Sequence, residues 1–175
     1  RFESCITDNY RICSPEYKRF LQLYIPNSEY PELKKEHYKR CWTKDINNYY
    51  QHYKEIDILL VPLEDNDFNC MKSQLKVIEA AFSNTAIIAS NVGPYTIDLI
   101  NILDKGGAIN EKGNALLVDP KKNHKDWAKY ITKCANNPDL VKTLKERLQK
   151  TICEEYDLRN VTKKRSEFYK KILKK

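Results

Sequence analysis

Lys72 and Ser73 end a polar loop running from Leu63, and they stand at the start of a segment with helical apolar spacing in which Glu79 follows. A cation and a hydroxyl at a helix start, beside amides without intrahelical acceptors, make an anion site suited to phosphate. The same pair also opens ordinary helices, so residue types alone leave both readings open. Glu79 lies in the apolar run Val77-Ile78-Glu79-Ala80-Ala81-Phe82. An unpaired carboxylate there is costly, so either a lysine pairs with it or it accepts ligand hydroxyls, such as those of a ribose. Asp65-Asn66-Asp67 has the form of a metal-binding Asp-x-Asp, but it reads equally as a solvated loop, and no metal is assigned. His37 and Cys41 stand one helical turn apart without further ligands at metal spacing. The six cysteines contain no Cys-x-x-Cys pair and read as reduced thiols in a cytoplasmic setting.

These groups need a scaffold, and the apolar pattern supplies one. Ile56 to Pro62 and Ala86 to Ser90 are short, nearly continuous apolar runs, as in parallel strands covered on both faces, and Ala115 to Val118 is a third. Between the first two, a helix is predicted over 72–83 with Leu75, Ile78 and Phe82 on one face, broken at Asn84-Thr85. Strand, helix and strand in this order form a βαβ unit. Parallel sheets bind ligands at the carboxyl ends of their strands. That rule selects the loop carrying Asn69, Lys72, Ser73 and Gln74 and the loop carrying Gly93, Pro94 and Tyr95.

Helices are expected on either side of this unit. Ser14-Pro15-Glu16 opens one over 15–24, Leu33, His37 and Cys41 suggest a second, and Thr43 caps a third with a core stripe of Ile46, Tyr49, Tyr50 and Tyr53. Downstream, Asn123 with Asp126 starts a helix lined by Trp127, Tyr130, Ile131 and Cys134. Asn137-Pro138-Asp139 starts another with the stripe Leu140, Val141, Leu144, Leu148 and Ile152, and a last one carries Leu158, Val161, Phe168 and Ile172. The predicted fold is α/β, a Rossmann-like parallel sheet flanked by helices with a helical C-terminal flank. Residues 1–41 are taken as a helical N-terminal segment and 42–175 as the Rossmann-like domain.

Composition narrows the classes further. The 175 residues are 41% hydrophobic, enough for one real core, and no apolar run is long enough for a membrane span or a signal peptide. The net charge of +7 is uneven, since residues 121–175 hold 17 Lys and Arg against 7 Asp and Glu. Such helices could face an anionic membrane surface, or simply be solvated. They lack interleaved stacking aromatics, so nucleic acid is not taken as a partner. The chain begins at Arg1, with Met71 its only methionine, which leads to the expectation that it is cut from a longer polypeptide.

Residues 69–95 resemble the donor-binding half of group 1 (family 4) glycosyltransferases of the GT-B fold. Asp57 to Leu63 looks like the strand before that family's motif, and Gly113-Asn114-Ala115-Leu116-Leu117-Val118 looks like its later Gly-x-x-Leu-Val strand. Trp127 to Ile131 and Asn137-Pro138-Asp139 look like its closing helices. The family's Glu-x7-Glu motif has its second glutamate at Glu79, while its first falls on Met71. The chain matches instead the form Asn-x-x-Lys-Ser-x-x-Lys-x-x-Glu through Asn69, Lys72, Ser73, Lys76 and Glu79.

The resemblance implies a metal-independent, hexosyltransferase-type enzyme that moves a sugar from a nucleotide diphosphate sugar to an acceptor hydroxyl with retention, without a cofactor. Polysaccharide or glycolipid synthesis at the cytoplasmic face of a membrane would be its setting. Lys72, Ser73 and Gln74 would hold the donor diphosphate and Glu79 the ribose, with Asn69, Gly93, Pro94 and Tyr95 lining the pocket; no catalytic residue is assigned. A glycan or lipid-linked acceptor would be bound by an N-terminal domain outside this chain, and the fragment alone is expected to be inactive. The alternative is a non-catalytic Rossmann-like module whose basic helices meet an anionic membrane surface or nucleic acid.

Overall fold

In the computed structural model, Phe2–Ser4 (β1), Ile58–Val61 (β2), Ala86–Ser90 (β3) and Leu116–Val118 (β4) form a four-stranded sheet in the order β1-β2-β3-β4. Every neighbouring pair is parallel, with Ile58 opposite Ala86 and Ile88 opposite Leu116. The structure describes residues 2–4, 44–104, 106–121 and 124–173. The helices predicted over 15–24 and around Leu33, His37 and Cys41 lie outside them, as does Asn123. The chain divides into two compact units, Arg1–Cys5 with Tyr53–Lys175, and Ile6–His52. Phe2–Ser4 thus belongs to the sheet, although the sequence placed it in a helical segment.

The helices are Asp67–Cys70 (α1), Leu75–Phe82 (α2), His124–Ala135 (α3), Pro138–Tyr156 (α4) and Leu158–Leu173 (α5). Strand β3 is buried along its whole length, as expected of a central parallel strand. Ile58, Ala86, Ile88, Leu116 and Val118 meet Cys134, Leu140, Val141 and Leu144 in one core, with Trp127, Tyr130 and Ile131 packed against it. The α4 stripe is buried at all five positions read from the sequence. Its start is equally local: Asn137 Oδ1 accepts from the Leu140 amide at 3.0 Å, and Pro138 takes the first helical position.

Three elements differ from the sequence reading. The helix expected from Thr43 is a 3-10 helix, Tyr49–Glu55, and of its apolar stripe only Tyr53 is buried, with Ile46 and Tyr50 exposed. Asp45 Oδ1 accepts from the Asn47 amide at 2.9 Å, an Asx turn that competes with an α-helical start. Helix α2 begins at Leu75 rather than at Lys72, and it buries Val77, Ala80 and Ala81 while Leu75 and Phe82 stay half exposed. Small side chains let the helix sit close to its neighbours, so the larger residues turn outward. Helix α5 buries none of its residues, and Leu158, Phe168 and Ile172 are all exposed.

Candidate functional site

The site forms where the loops leave β2 and β3. Ser90 Oγ, at the end of β3, accepts from the Leu63 amide at 2.8 Å and ties the two loops together at their roots. The first loop, read from sequence as a polar loop, contains the helical turn α1, because Asn66 Oδ1 accepts from the Asn69 amide at 2.9 Å. Asn69 is buried, and its side-chain amide donates to Glu64 O at 2.9 Å. It shapes the loop from within, and its side chain is directed to the backbone. Gly93 then packs on the end of α1: a Cβ there would lie 3.1 Å from Cys70 Cα and 3.3 Å from Cys70 O. Only a residue without a side chain admits this approach comfortably. Pro94 and Tyr95, in the 3-10 helix Gly93–Ile97, are buried behind it.

Lys72 and Ser73 follow on an exposed stretch before α2. Lys72 Nζ lies 4.9 Å from the centroid of the exposed Phe68 ring, and the Lys72 amide donates to Asn69 O at 3.2 Å. Gln74 O accepts from Val77 and Ile78. The amides of Ser73, Gln74 and Leu75 donate to no described residue, and Gln74 makes no side-chain cap. Three consecutive free amides at the positive end of a helix, preceded by a lysine, are suited to an anion. Met71 is exposed at the C-cap of α1.

Glu79 stands four residues into α2, so its Cα is about 6 Å along the axis from that of Leu75, and its side chain leans back toward the helix start. Oε2 accepts from Tyr53 Oη at 2.6 Å and from Lys76 Nζ at 3.0 Å. The first of the two sequence alternatives, pairing with a lysine, is present. Oε2 is committed to the protein, while Oε1 accepts no hydrogen bond from a described residue.

Sequence reasoning missed the groups that hold this frame. Tyr53 was read as core, yet its hydroxyl orients Glu79. Gln74 Nε2 donates to Tyr156 Oη at 2.8 Å, and Tyr156 Oη donates to Asp98 Oδ2 at 2.8 Å. Tyr156 falls four residues beyond Ile152, so it continues the α4 stripe, and its polar tip was the available signal. Asn114 is wholly buried: Oδ1 accepts from the Ile100 amide, and Nδ2 donates to Asp98 O and Thr151 Oγ1. Asp65 lies 3.7 Å from the Cys70 thiol, and Asp67 sits in the first turn of α1. Among the described residues, Cys70, Cys134 and Cys153 are free thiols, and burial pushes Cys134 up to about 11, out of range for a nucleophile at neutral pH.

No family model and no curated relative matches the chain. Solved structures do. A glycosyltransferase from Rickettsia africae ESF-5 aligns with TM-score 0.63 and 22% identity over 93% of this chain and 38% of its own. The C-terminal domain of the group 1 family glycosyl transferase LpcC from Francisella tularensis aligns with TM-score 0.58 and 17% identity, over 82% of this chain and 64% of that one. Anabaena HepE in complex with UDP aligns with TM-score 0.51 and 14% identity, over 69% of this chain and 29% of that one. The chain thus spans between 29% and 64% of the length of these structures. The parallel sheet, its flanking helices and these alignments give the chain the fold of the C-terminal half of a group 1, GT-B glycosyltransferase.

Proposed function

We propose that the chain is the donor half of a glycosyltransferase and binds the nucleoside diphosphate of a sugar donor between the loops after β2 and β3. The observation that carries this reading is the run of unbonded amides at Ser73, Gln74 and Leu75, with Lys72 before them and Glu79 Oε1 in the next turn. Support comes from the fold shared with a protein crystallised with UDP and, separately, with UDP-glucose. In transfer, the bond from the anomeric carbon to the diphosphate oxygen breaks, and its electron pair leaves with the diphosphate. The acceptor oxygen bonds the anomeric carbon on the retained face, and its proton passes to the departing diphosphate oxygen. The amides and Lys72 stabilise the charge growing on the diphosphate, a task that calls for no metal and no cofactor. Glu79 orients the ribose. The reading includes a hexosyl donor, a glycan or lipid-linked acceptor held by a domain preceding this chain, and polysaccharide or glycolipid synthesis in the cytoplasm.

A thermal-shift series with UDP, GDP, ADP and CMP tests it. A nucleotide at a hundred times its Kd stabilises the folded state by about 2.7 kcal/mol. That is a rise of roughly 5–10 °C for a chain of this size. No shift with any of the four would overturn the reading.

Helix α5 supports one addition, contact with an anionic membrane surface. Among the described residues no helix is long and apolar enough to cross a membrane. Phe168, Tyr169, Ile172 and Leu173 are exposed on α5, and Lys163, Lys164, Lys170 and Lys171 accompany them. An apolar strip with lysines at its borders is the pattern of a helix lying in a headgroup layer. The chain is expected to sediment with phosphatidylglycerol vesicles but not with pure phosphatidylcholine, and to be released by salt as screening shortens the reach of its charges. Replacing Lys163, Lys164 and Arg165 by alanine should weaken binding by about tenfold or more, since each charge contributes on the order of 1 kcal/mol near such a surface. Equal sedimentation with both vesicles, or none, would remove the membrane from the reading.

A further inference from the structure

Two loops separated in sequence must hold one geometry if they are to cradle a diphosphate, and one side chain spans both. Tyr156 is the last residue of α4. Its hydroxyl accepts from Gln74 Nε2 and donates to Asp98 Oδ2, both at 2.8 Å. Gln74 is the N-cap of α2, next to the free amides of Ser73 and Leu75, and Asp98 is the C-cap of the 3-10 helix Gly93–Ile97 that follows β3. The polarity is fully specified. A glutamine Nε2 donates and a carboxylate accepts, so the tyrosine hydroxyl, which does both, joins them in this direction. The join is also well placed: Gly93 fixes one end of the second loop against Cys70, and Tyr156 fixes the other end to the start of α2.

We infer that Tyr156 is a positioning residue for the donor site, which sets the orientation of the Ser73–Leu75 amides by tying Gln74 to Asp98. This rests on the donor-site reading above and deepens it. One hydrogen of the Gln74 side-chain amide is held by Tyr156, and its backbone amide lies among the free amides of the helix start. Because Gln74 spends its side chain on Tyr156 rather than on capping α2, the helix start stays open to a ligand. The proton count agrees, since burial and the neighbouring Asp98 carboxylate hold the tyrosine above its usual range, so that it keeps its proton.

The test is nucleotide affinity at 25 °C, by calorimetry on the full chain, with the nucleotide that gives the largest thermal shift. Tyr156→Phe keeps the ring and removes both hydrogen bonds. Its affinity is expected to fall by about threefold to tenfold, the size of a lost hydrogen bond of this kind. Asp98→Ala should follow it, while Asp98→Asn retains an acceptor oxygen and should stay within about twofold of the parent, again on the hydrogen-bond scale. Far below the melting temperature, a merely structural role would lower that temperature without moving Kd, so the affinity separates the two. Unchanged Kd in Tyr156→Phe, with the parent binding normally, would overturn this role and leave the donor site standing. A parent chain that bound no nucleotide would overturn both.

Discussion

Glu79→Ala is expected to lower nucleotide affinity by about tenfold to a hundredfold, the scale of hydrogen bonds to a charged group, with the protein still folded. The geometry sets both halves of this expectation. Oε2 is held by Tyr53 at 2.6 Å and Lys76 at 3.0 Å, so the carboxylate is fixed before a ligand arrives and loses little freedom on binding. In the proposed site, Oε1 would present a charged acceptor to a ribose hydroxyl one turn above the amides of the helix start. The fold should survive because the Lys76–Glu79 pair is partly exposed, with side-chain exposures of 19% and 23%, and such pairs contribute about 1 kcal/mol or less. Tyr53→Phe makes the complementary measurement. It leaves the carboxylate in place but frees it to move, and should cost less than Glu79→Ala. Calorimetric titration with the best-stabilising nucleotide reads both, and an unchanged Kd in Glu79→Ala would remove Glu79 from the site.

The largest effect on stability is expected at Gly113. A Cβ there would lie 2.2 Å from Ile102 Cα, 2.7 Å from Ile102 N and 2.8 Å from Asn101 O, all backbone atoms. Neither side can retreat. Gly113 N donates to Asn110 O at 3.0 Å, Gly113 O accepts from Arg147 at 3.2 Å, and the Ile102 amide donates to Ala115 O at 2.8 Å. The next residue is the fully bonded, buried Asn114, which ties this turn to Ile100, Asp98 and Thr151. Gly113→Ala is therefore expected to cost about 3 kcal/mol or more, at the upper end of what an inserted methyl does. For a chain of this size that lowers the melting temperature by roughly 10 °C. Gly106→Ala is the control, because nothing lies within 4 Å of its Cβ position. Scanning calorimetry of the two variants decides the matter: equal melting temperatures would mean that the turn can open without cost.

What could be read in advance depended on how local its cause was. Helix α4 was legible to the residue at its start and along its buried stripe, because Asn137, Pro138 and the 3.6-residue period all act within a few positions of one another. Strand β3 was equally plain, since burial on both faces writes itself as an unbroken apolar run. In α2 two apolar stripes were available, and the sequence reading took the larger side chains, whereas close packing selects Val77, Ala80 and Ala81. The turn α1 was missed because its signal is a single Asn66 cap.

For the candidate site, the sequence by itself determined which loops to inspect and which residues carry the needed types: Lys72, Ser73 and Glu79 announce themselves by charge and position beside a helix start. Tertiary structure alone decided their hydrogen-bond partners. That Glu79 is held by Tyr53, that Gln74 turns to Tyr156, and that Gly93 must be small against Cys70 all depend on partners far away in the chain. Periodicity and capping report interactions within a turn or two. A hydrogen bond spanning 82 residues exists only once the sheet has brought its two ends together.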